Sequence, residues 1–439
     1  MKHLRSFIFL TAVFFIPCSV FADGGIAPIR LSFSSALKIA NEQNPSVIMA
    51  GERVKQALER LHGTRAGLLP RVSAEASEIR QTKNLETFGI PPSGSSSPVV
   101  GPFNAFDARL KLTQVLFDWP TVKRLEAAGI GRDLSKAEER KTREDALAFV
   151  AALYLEAKRA EDALWFSKAI VRLAREKNRL AYTHLKWGTG SEVDLKEAKA
   201  GLSEARFQWR TAKTKAQDKK LDLKAALGFS GSQILEFLDE DLSLADPPPK
   251  RSEILSAAKV HPEVNLAEEK LRRTKAEEAA EQAEILPKVS GLADYGASAD
   301  QPSQSKKTYS YGLQASWPLF EGGRRSARIA ESESRSREAE VDFKDIRNQK
   351  ENRAVEAKEA LKNTRVLIQS ARDNFNFYQA RSGVIKRRFE NGTASELDVI
   401  RAMAEEAQAK DGWEEALAAY RMAQVSLAHA LGQMEKLTK

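Results

Sequence analysis

Five landmarks recur in the same order and at nearly equal spacing in the two halves of the chain. SALKIANEQNPSV (35–47) is matched by EILSAAKVHPEV (253–264), with Pro45 facing Pro262. Twenty-five residues after each of these prolines comes another, Pro70 in LLPRVS and Pro287 in ILPKVS. QVLFDW (114–119) then answers WPLFEG (317–322), and LKWGTGSEVDLKEA (185–198) answers FENGTASELDVIRA (389–402). An ALG triplet follows 40 residues after each turn glycine, at 226–228 and 430–432. Such a chain is a tandem duplication, and its fold must be one structural unit used twice. The units are expected at 23–245 and 253–439, joined by a proline-rich linker at 246–252 whose DPPPK (246–250) cannot continue a helix.

Within each unit the hydrophobic period changes in a fixed order. Residues 46–67 and 263–284 are rich in Ala, Glu, Lys, Arg and Leu and predict helices that end before Pro70 and Pro287. Alternation follows at 71–83 and 105–117, and again at 288–299 and 309–320, so each unit carries a hairpin, 71–117 and 288–320. In the second unit Tyr309, Tyr311, Leu313, Ala315 and Trp317 share one face, and Ser310, Gly312, Gln314 and Ser316 the other. In the first, Phe106, Ala108, Leu110 and Leu112 alternate with Asp107, Arg109, Lys111 and Thr113. GIPPSGSSSPVVGP (89–102) punctuates the first hairpin tip.

After each hairpin comes a very long proline-free run, about 121–184 and 324–388, long enough to extend on the order of 100 Å as helix. Apolar or small residues recur every seven positions: Val150, Ala157, Leu164 and Val171 in one run, Ala354, Leu361, Ile368 and Phe375 in the other. A second seam runs through Ala357, Thr364, Ala371, Tyr378 and Ile385. A sustained seven-residue period means coiled-coil-like packing against neighbouring helices. Each run ends at the repeated turn, and a shorter helix (191–227, 395–431) returns.

Composition enters where it excludes functions. Residues 1–22 have the form of an export signal: Lys2 and Arg5, an apolar stretch from Phe7 to Ile16, Pro17, then Val20-Phe21-Ala22. The apolar stretch is too short for a membrane-spanning helix. Cys18, the single cysteine, is either removed with the signal or a site of lipidation; its removal excludes disulfides and thiol catalysis. The net charge of +9 is spread among interleaved acids and bases and forms no nucleic-acid stripe. His62, His184, His261 and His429 show no metal-ligand spacing, and no catalytic triad order or phosphate loop occurs. No enzyme, cofactor or metal is expected.

Strands of this length can cross a bilayer when tilted, and aromatic residues on their apolar face suit a membrane interface. An ordinary two-sided soluble hairpin is the alternative. In lipid, however, an open sheet edge leaves backbone groups unpaired, so only closed barrels survive. Four strands fall short of the eight with which single-chain barrels begin, so membrane strands require other copies of the chain. The long helices, with seams left uncovered, require partners too.

Ala36-Leu37 through Asn44-Pro45, L-P before a strand, L-F-D/E before a long helix, and G-x-x-x-x-x-D near a helix start resemble the TolC-type outer-membrane efflux and export channels. The resemblance covers essentially the whole mature chain. It implies a homotrimer whose protomers each give four strands to a twelve-stranded barrel in outer-membrane lipid, above a periplasmic α-helical tube. It further implies a passive duct for efflux or type I secretion, coupled through a periplasmic adaptor (membrane fusion protein) to an inner-membrane transporter of the RND, ABC or MFS type. A periplasmic coiled-coil adaptor or scaffold is the alternative function.

In such channels the repeated turn forms the periplasmic tip, where the tube narrows and the adaptor docks. By resemblance, Asp194 and Asp398 are expected at the constriction with Arg401, and Gly188, Thr189, Ser191, Phe389, Gly392, Thr393 and Ser395 at the turns. Ser191-x-x-Asp194 and Ser395-x-x-Asp398 also fit capping boxes, so capping alone and capping with pore lining both stand as readings. The chain departs from the family's best-known member at Phe389, which lacks a tyrosine hydroxyl, at Ala394 in place of an arginine, and at Arg401 in place of a second pore aspartate. The resemblance therefore does not extend to a tip latch of that composition or to a double carboxylate ring.

Overall fold

A computed structural model describes residues 29–89, 98–238 and 249–438. The expected signal (1–22), Cys18 included, and most of the first hairpin tip lie outside the described residues. Of the expected linker, 249–252 are described, and Arg251 already begins a helix. The first unit contains β1 (Ile29–Leu31), α1 (Phe33–Gln43), α2 (Pro45–Ala66), β2 (Arg71–Asn84), β3 (Val99–Phe117), α3 (Trp119–Lys186), α4 (Glu192–Ala226) and β4 (Leu235–Phe237). The second contains α5 (Arg251–Lys259), α6 (Pro262–Ala283), β5 (Lys288–Ala299), β6 (Lys306–Ser316), α7 (Arg324–Glu390) and α8 (Glu396–Ala430), then a short 3₁₀ turn at Met434–Thr438.

The long helices hold 68 and 67 residues, so each extends about 100 Å. They act as two rails, with the shorter helices as second columns. Beside the strands the helix order is α2-α3-α6-α7; towards the turns it is α4-α3-α8-α7. The result is a slab one helix thick. A single layer buries narrow seams rather than a thick centre, which is why Ala127, Ala137, Ala198, Ala216, Ala280 and Ala409 are buried along it. Bulkier side chains gather in two places. One cluster joins Leu31, Leu37, Leu147, Val150, Tyr154, Leu223, Leu227 and Met434, where α1, the parallel β1–β4 ribbon and the chain end wrap the middle of α3. The other joins Ile254, Leu361, Ile368, Tyr420 and Leu431 around α5, α7 and α8.

The second strand of hairpin two ends at Ser316 rather than 320. Pro318 has no N–H for a sheet ladder, and the alternation through Trp317 therefore outruns the strand. The Trp317 indole donates instead to the Ile285 carbonyl at 3.0 Å. Conversely, β3 begins at Val99, six residues before the expected start. Among the described residues no helix is long and apolar enough to cross a membrane.

The short helices stack end to end, and the repeated Pro45 and Pro262 mark the joints. In the first unit Asn44 caps α2 by accepting from Ser46 N (2.9 Å), and its amide donates to Ala226 O at the end of α4 (2.8 Å). In the second unit His261 does both tasks. Its Nδ1 accepts from Glu263 N (3.1 Å) at the start of α6, and its Nε2 donates to His429 O (3.0 Å) at the end of α8. Two histidines that looked scattered in sequence thus meet, with ring centroids 6.2 Å apart. The His429 ring in turn contacts Asp145 on α3 at 2.9 Å. Burial alone would raise the Asp145 carboxyl, but hydrogen bonds from His429 and Lys141 outweigh it and hold it down at about 2.

His261 is almost wholly buried, facing Glu263 on its own helix, Lys350 on α7 and His429 on α8. Burial first, then the Lys350 charge, push its imidazole down to about 4. An unfolded histidine takes up its proton near 6.5, so between those values the unfolded chain binds more protons and stability falls as pH falls. His261→Asn, which copies the first joint, removes this dependence. Thermal unfolding of the two proteins from pH 7 to 4 is expected to diverge by up to about 3 kcal/mol, the parent protein losing more.

Candidate functional site

Two parts of the slab carry the features a conduit would need, the strand sheet at one end and the paired turns at the other. The strands form one antiparallel sheet in the order β2-β3-β5-β6, so the two hairpins join through β3 and β5. Among the described residues β2 and β6 are left as open edges.

Register places side chains on two chemically distinct faces. One face carries Val72, Ala74 and Ala76 of β2, and Phe106, Ala108, Leu110 and Leu112 of β3. Ala293, Tyr295 and Ala297 of β5 and Tyr309, Tyr311 and Leu313 of β6 complete it. Tyr309, Tyr311 and Leu313 are among the most exposed large apolar side chains of the chain. The apolar pattern stops toward the hairpin tips, where Glu78 and Arg80 take the apolar face of β2 and Ile79 the other. Apolar height is therefore bounded, as a bilayer requires.

The opposite face holds a belt of paired charge. Arg109 donates to Asp107 (2.7 Å) on its own strand and to Asp294 (2.8 Å) on β5. Ser310 of β6 donates to the same Asp294, and Lys111 of β3 reaches Glu75 of β2. All four strands thus take part in the belt. Gly296 opposes Arg109 so closely that an added Cβ would lie 2.3 Å from the arginine Cβ. Leu292 is an apolar exception on this face.

At the other end the two turns share the same backbone path and the same caps. Gly188 and Gly392 both take φ +73°, a left-handed conformation in which a Cβ would be strained. After Gly188 the amides of Thr189 and Gly190 donate to His184 O (2.9 and 3.0 Å). After Gly392, Thr393 N donates to Arg388 O at 2.8 Å. Both threonine hydroxyls bond the same carbonyls as their amides. Ser191 and Ser395 then cap the returning helices: each serine Oγ accepts from the aspartate N (3.1 Å), and each aspartate Oδ2 accepts from the serine N (3.0 Å). The boxes hold both carboxyls below the usual range, Asp194 first through the Ser191 backbone N–H and Asp398 first through the Ser395 hydroxyl. Arg401, one turn further on, adds to the effect at Asp398.

Both carboxylates use Oδ2 for the cap and stay fully exposed, so capping does not remove their charge from solvent. Phe389, three residues before its glycine, is 45% exposed; its counterpart in the first turn is Leu185, and Trp187, one residue before Gly188, is 74% exposed. The structure also shows a contact with no signal in sequence spacing: Arg179 of α3 donates to Glu396 at the start of α8 (2.7 Å). This pair ties one unit's long helix to the other unit's turn and places both turns at one end of the slab.

A family model described as "Outer membrane efflux protein" matches residues 36–229 and 254–433, one span per unit. A search among curated proteins finds no match. Among solved structures, the chain is similar to the Campylobacter jejuni CmeC outer membrane channel (TM-score 0.79, 19% identity, 93% of this chain and 89% of that one). It is similar to the outer membrane protein VceC of Vibrio cholerae (0.72, 18%, 91% and 96%). The open-state Neisseria gonorrhoeae MtrE outer membrane channel gives a like match (0.72, 18%, 91% and 88%). At these identities the likenesses speak for the fold.

Removing one capping box leaves orphan N–H groups at a helix start, which costs about 1 kcal/mol. Ser395→Ala is therefore expected to raise hydrogen exchange in residues 396–399 several-fold and leave the matching residues 192–195 unchanged, as read by mass spectrometry.

Proposed function

The chain belongs to the outer membrane efflux protein family, and on that premise we propose that three copies close into one duct coupled to a periplasmic adaptor and an inner-membrane transporter. It is an outer-membrane efflux channel with a periplasmic helical tube. The observation that carries the trimer is where the open edges fall. β2, α2 and α4 lie along one side of the slab, and β6 and α7 along the other. In lipid the free N–H and C=O groups of β2 and β6 must be paired, and each copy's β6 can pair with the next copy's β2. The same rotation brings α7 against the neighbouring α2 and α4. Exposed apolar residues support it on both sides: Val341, Val366 and Phe377 on α7, Ile48 and Phe207 on α2 and α4. Twelve strands result from three copies, the number the family resemblance implies.

In this reading the apolar sheet face meets lipid and the Arg109 belt lines the water-filled barrel. The turns at Gly188 and Gly392 form the inner tip, with Thr189, Thr393, Phe389 and the capping serines offered to the adaptor. Asp194 and Asp398 contribute carboxylates at the constriction while capping their helices. The chemistry is that of a passive path: fixed charge acts on whatever passes, and the energy comes from the inner-membrane partner, in a tripartite efflux or type I secretion assembly. The alternative of a periplasmic adaptor leaves the two-faced sheet with its open edges unexplained.

Purified protein is expected to need detergent and to run as a trimer by light scattering; a monodisperse monomer without detergent would sink the channel reading. Replacing Asp194 and Asp398 together with Ala is expected to lower cation selectivity in planar bilayers. Unchanged selectivity with a lowered melting temperature would leave those residues a capping role alone. The Arg179–Glu396 pair holds the two units' tips together, and an exposed pair contributes roughly 0–1 kcal/mol per copy. Arg179→Ala is expected to raise basal conductance several-fold, and Glu396→Ala to add nothing to it in the double variant.

A further inference from the structure

The returning helix of the first unit carries a second seven-residue period, of which packing inside the chain uses only the last member. Leu195, Leu202, Trp209, Ala216 and Leu223 form its seam toward α3. Four residues after each of the first four stands a base: Lys199, Arg206, Lys213 and Lys220. Lys220, the last of this column, is engaged: it donates to Glu161 (2.8 Å) and lies over the Phe237 ring (5.2 Å). The column therefore opens on the side of the slab that bears the β1–β4 ribbon. Lys199, Arg206 and Lys213 are exposed and make no ion pair among the described residues. Arg210 lies beside Arg206, exposed as well, and Lys213 sits over the half-buried Trp209 ring at 5.9 Å.

The duplication supplies an internal comparison. The same four positions in α8, 204 residues later, are Met403, Lys410, Leu417 and Gln424. One base remains of four, so the column is a property of one unit and not of the repeated architecture.

We propose that this face of α4 docks an acidic α-helix of a periplasmic partner, laid alongside with carboxylates at seven-residue spacing. The inference deepens the reading of a channel with a periplasmic helical partner and rests on it. Three free bases over about 21 Å of straight helix match the rise of two heptads. Bases flanking a seam with Leu202 and Trp209 half-open are the arrangement by which adjacent helices select partners of opposite charge. A diffuse polyanion would need no such period. Because α8 lacks the column, a trimer offers three such sites rather than six.

The probe is a synthetic helix of about four heptads with glutamate in the column facing α4, beside an analogue with lysine there. Both are titrated by fluorescence anisotropy against the full-length channel in detergent. The glutamate helix is expected to bind on the order of tenfold tighter than the lysine one at low salt, three per trimer, the preference fading as salt screens it. Lys199→Glu, Arg206→Glu and Lys213→Glu together are expected to invert the preference, and Arg206→Gln alone to weaken it several-fold with the trimer intact. Equal binding of the two helices, no binding of either, or an unchanged preference in the triple variant overturns the proposal. Loss of the trimer in both variants also overturns it, by assigning the face to a contact between copies. Bilayer conductance of the parent channel tests the channel reading separately, and the column variants are expected to leave it unaltered.

Discussion

The unpaired backbone at the two sheet edges is the constraint on which the rest of the architecture depends. A four-stranded sheet with one apolar face cannot sit in lipid with β2 and β6 open, and it cannot close on itself. Assembly from several copies is then a condition of membrane insertion. The helices obey the same demand, because a slab one helix thick exposes α2, α4 and α7 along its flanks. Strand edges and helix edges coincide in position, so a single rotation satisfies both.

A slab this long needs stiff joints where short helices meet. Each unit solves this with a residue just before a proline that both caps the upper helix and donates to the end of the lower one. Asn44 does this without titrating in the ordinary pH range, whereas His261 must stay neutral for its Nδ1 to accept. The glycine that follows each returning helix belongs to the same joint. At Gly432 an added Cβ would lie 2.5 Å from Pro262 Cδ, so the two ends pack with no room for a side chain. The duplicated joints share a geometry while differing in chemistry, and divergence of this kind is also what separates α4 from α8.

The paired turns at Gly188 and Gly392 were legible because their determinants are local. A glycine for positive φ, a threonine returning to the last helical carbonyl and a Ser-x-x-Asp box lie within a few residues of one another. What they face was not legible, and the Arg179–Glu396 contact spans 217 positions with no periodic trace. The strand boundaries were partly legible: alternation located the hairpins, but Pro318 overruled it at one end of β6 and the ladder continued past it at the start of β3. His261 and His429 looked unrelated because helix stacking, not spacing, brings them together.

From sequence alone came the duplication, the order of helix, hairpin, long helix and return, the two faces of the strands, and the capped turns. Each of these rests on interactions between near neighbours, or on a period that one element displays by itself. Only the tertiary structure decided that β3 pairs with β5, that α3 lies between α2 and α6 above and between α4 and α8 below, and which flank carries the bases of α4. The physical reason is that a seven-residue seam fits many neighbours equally well. Which neighbour it receives is settled by the joints, by the strand ladder and by ion pairs between residues far apart in the chain.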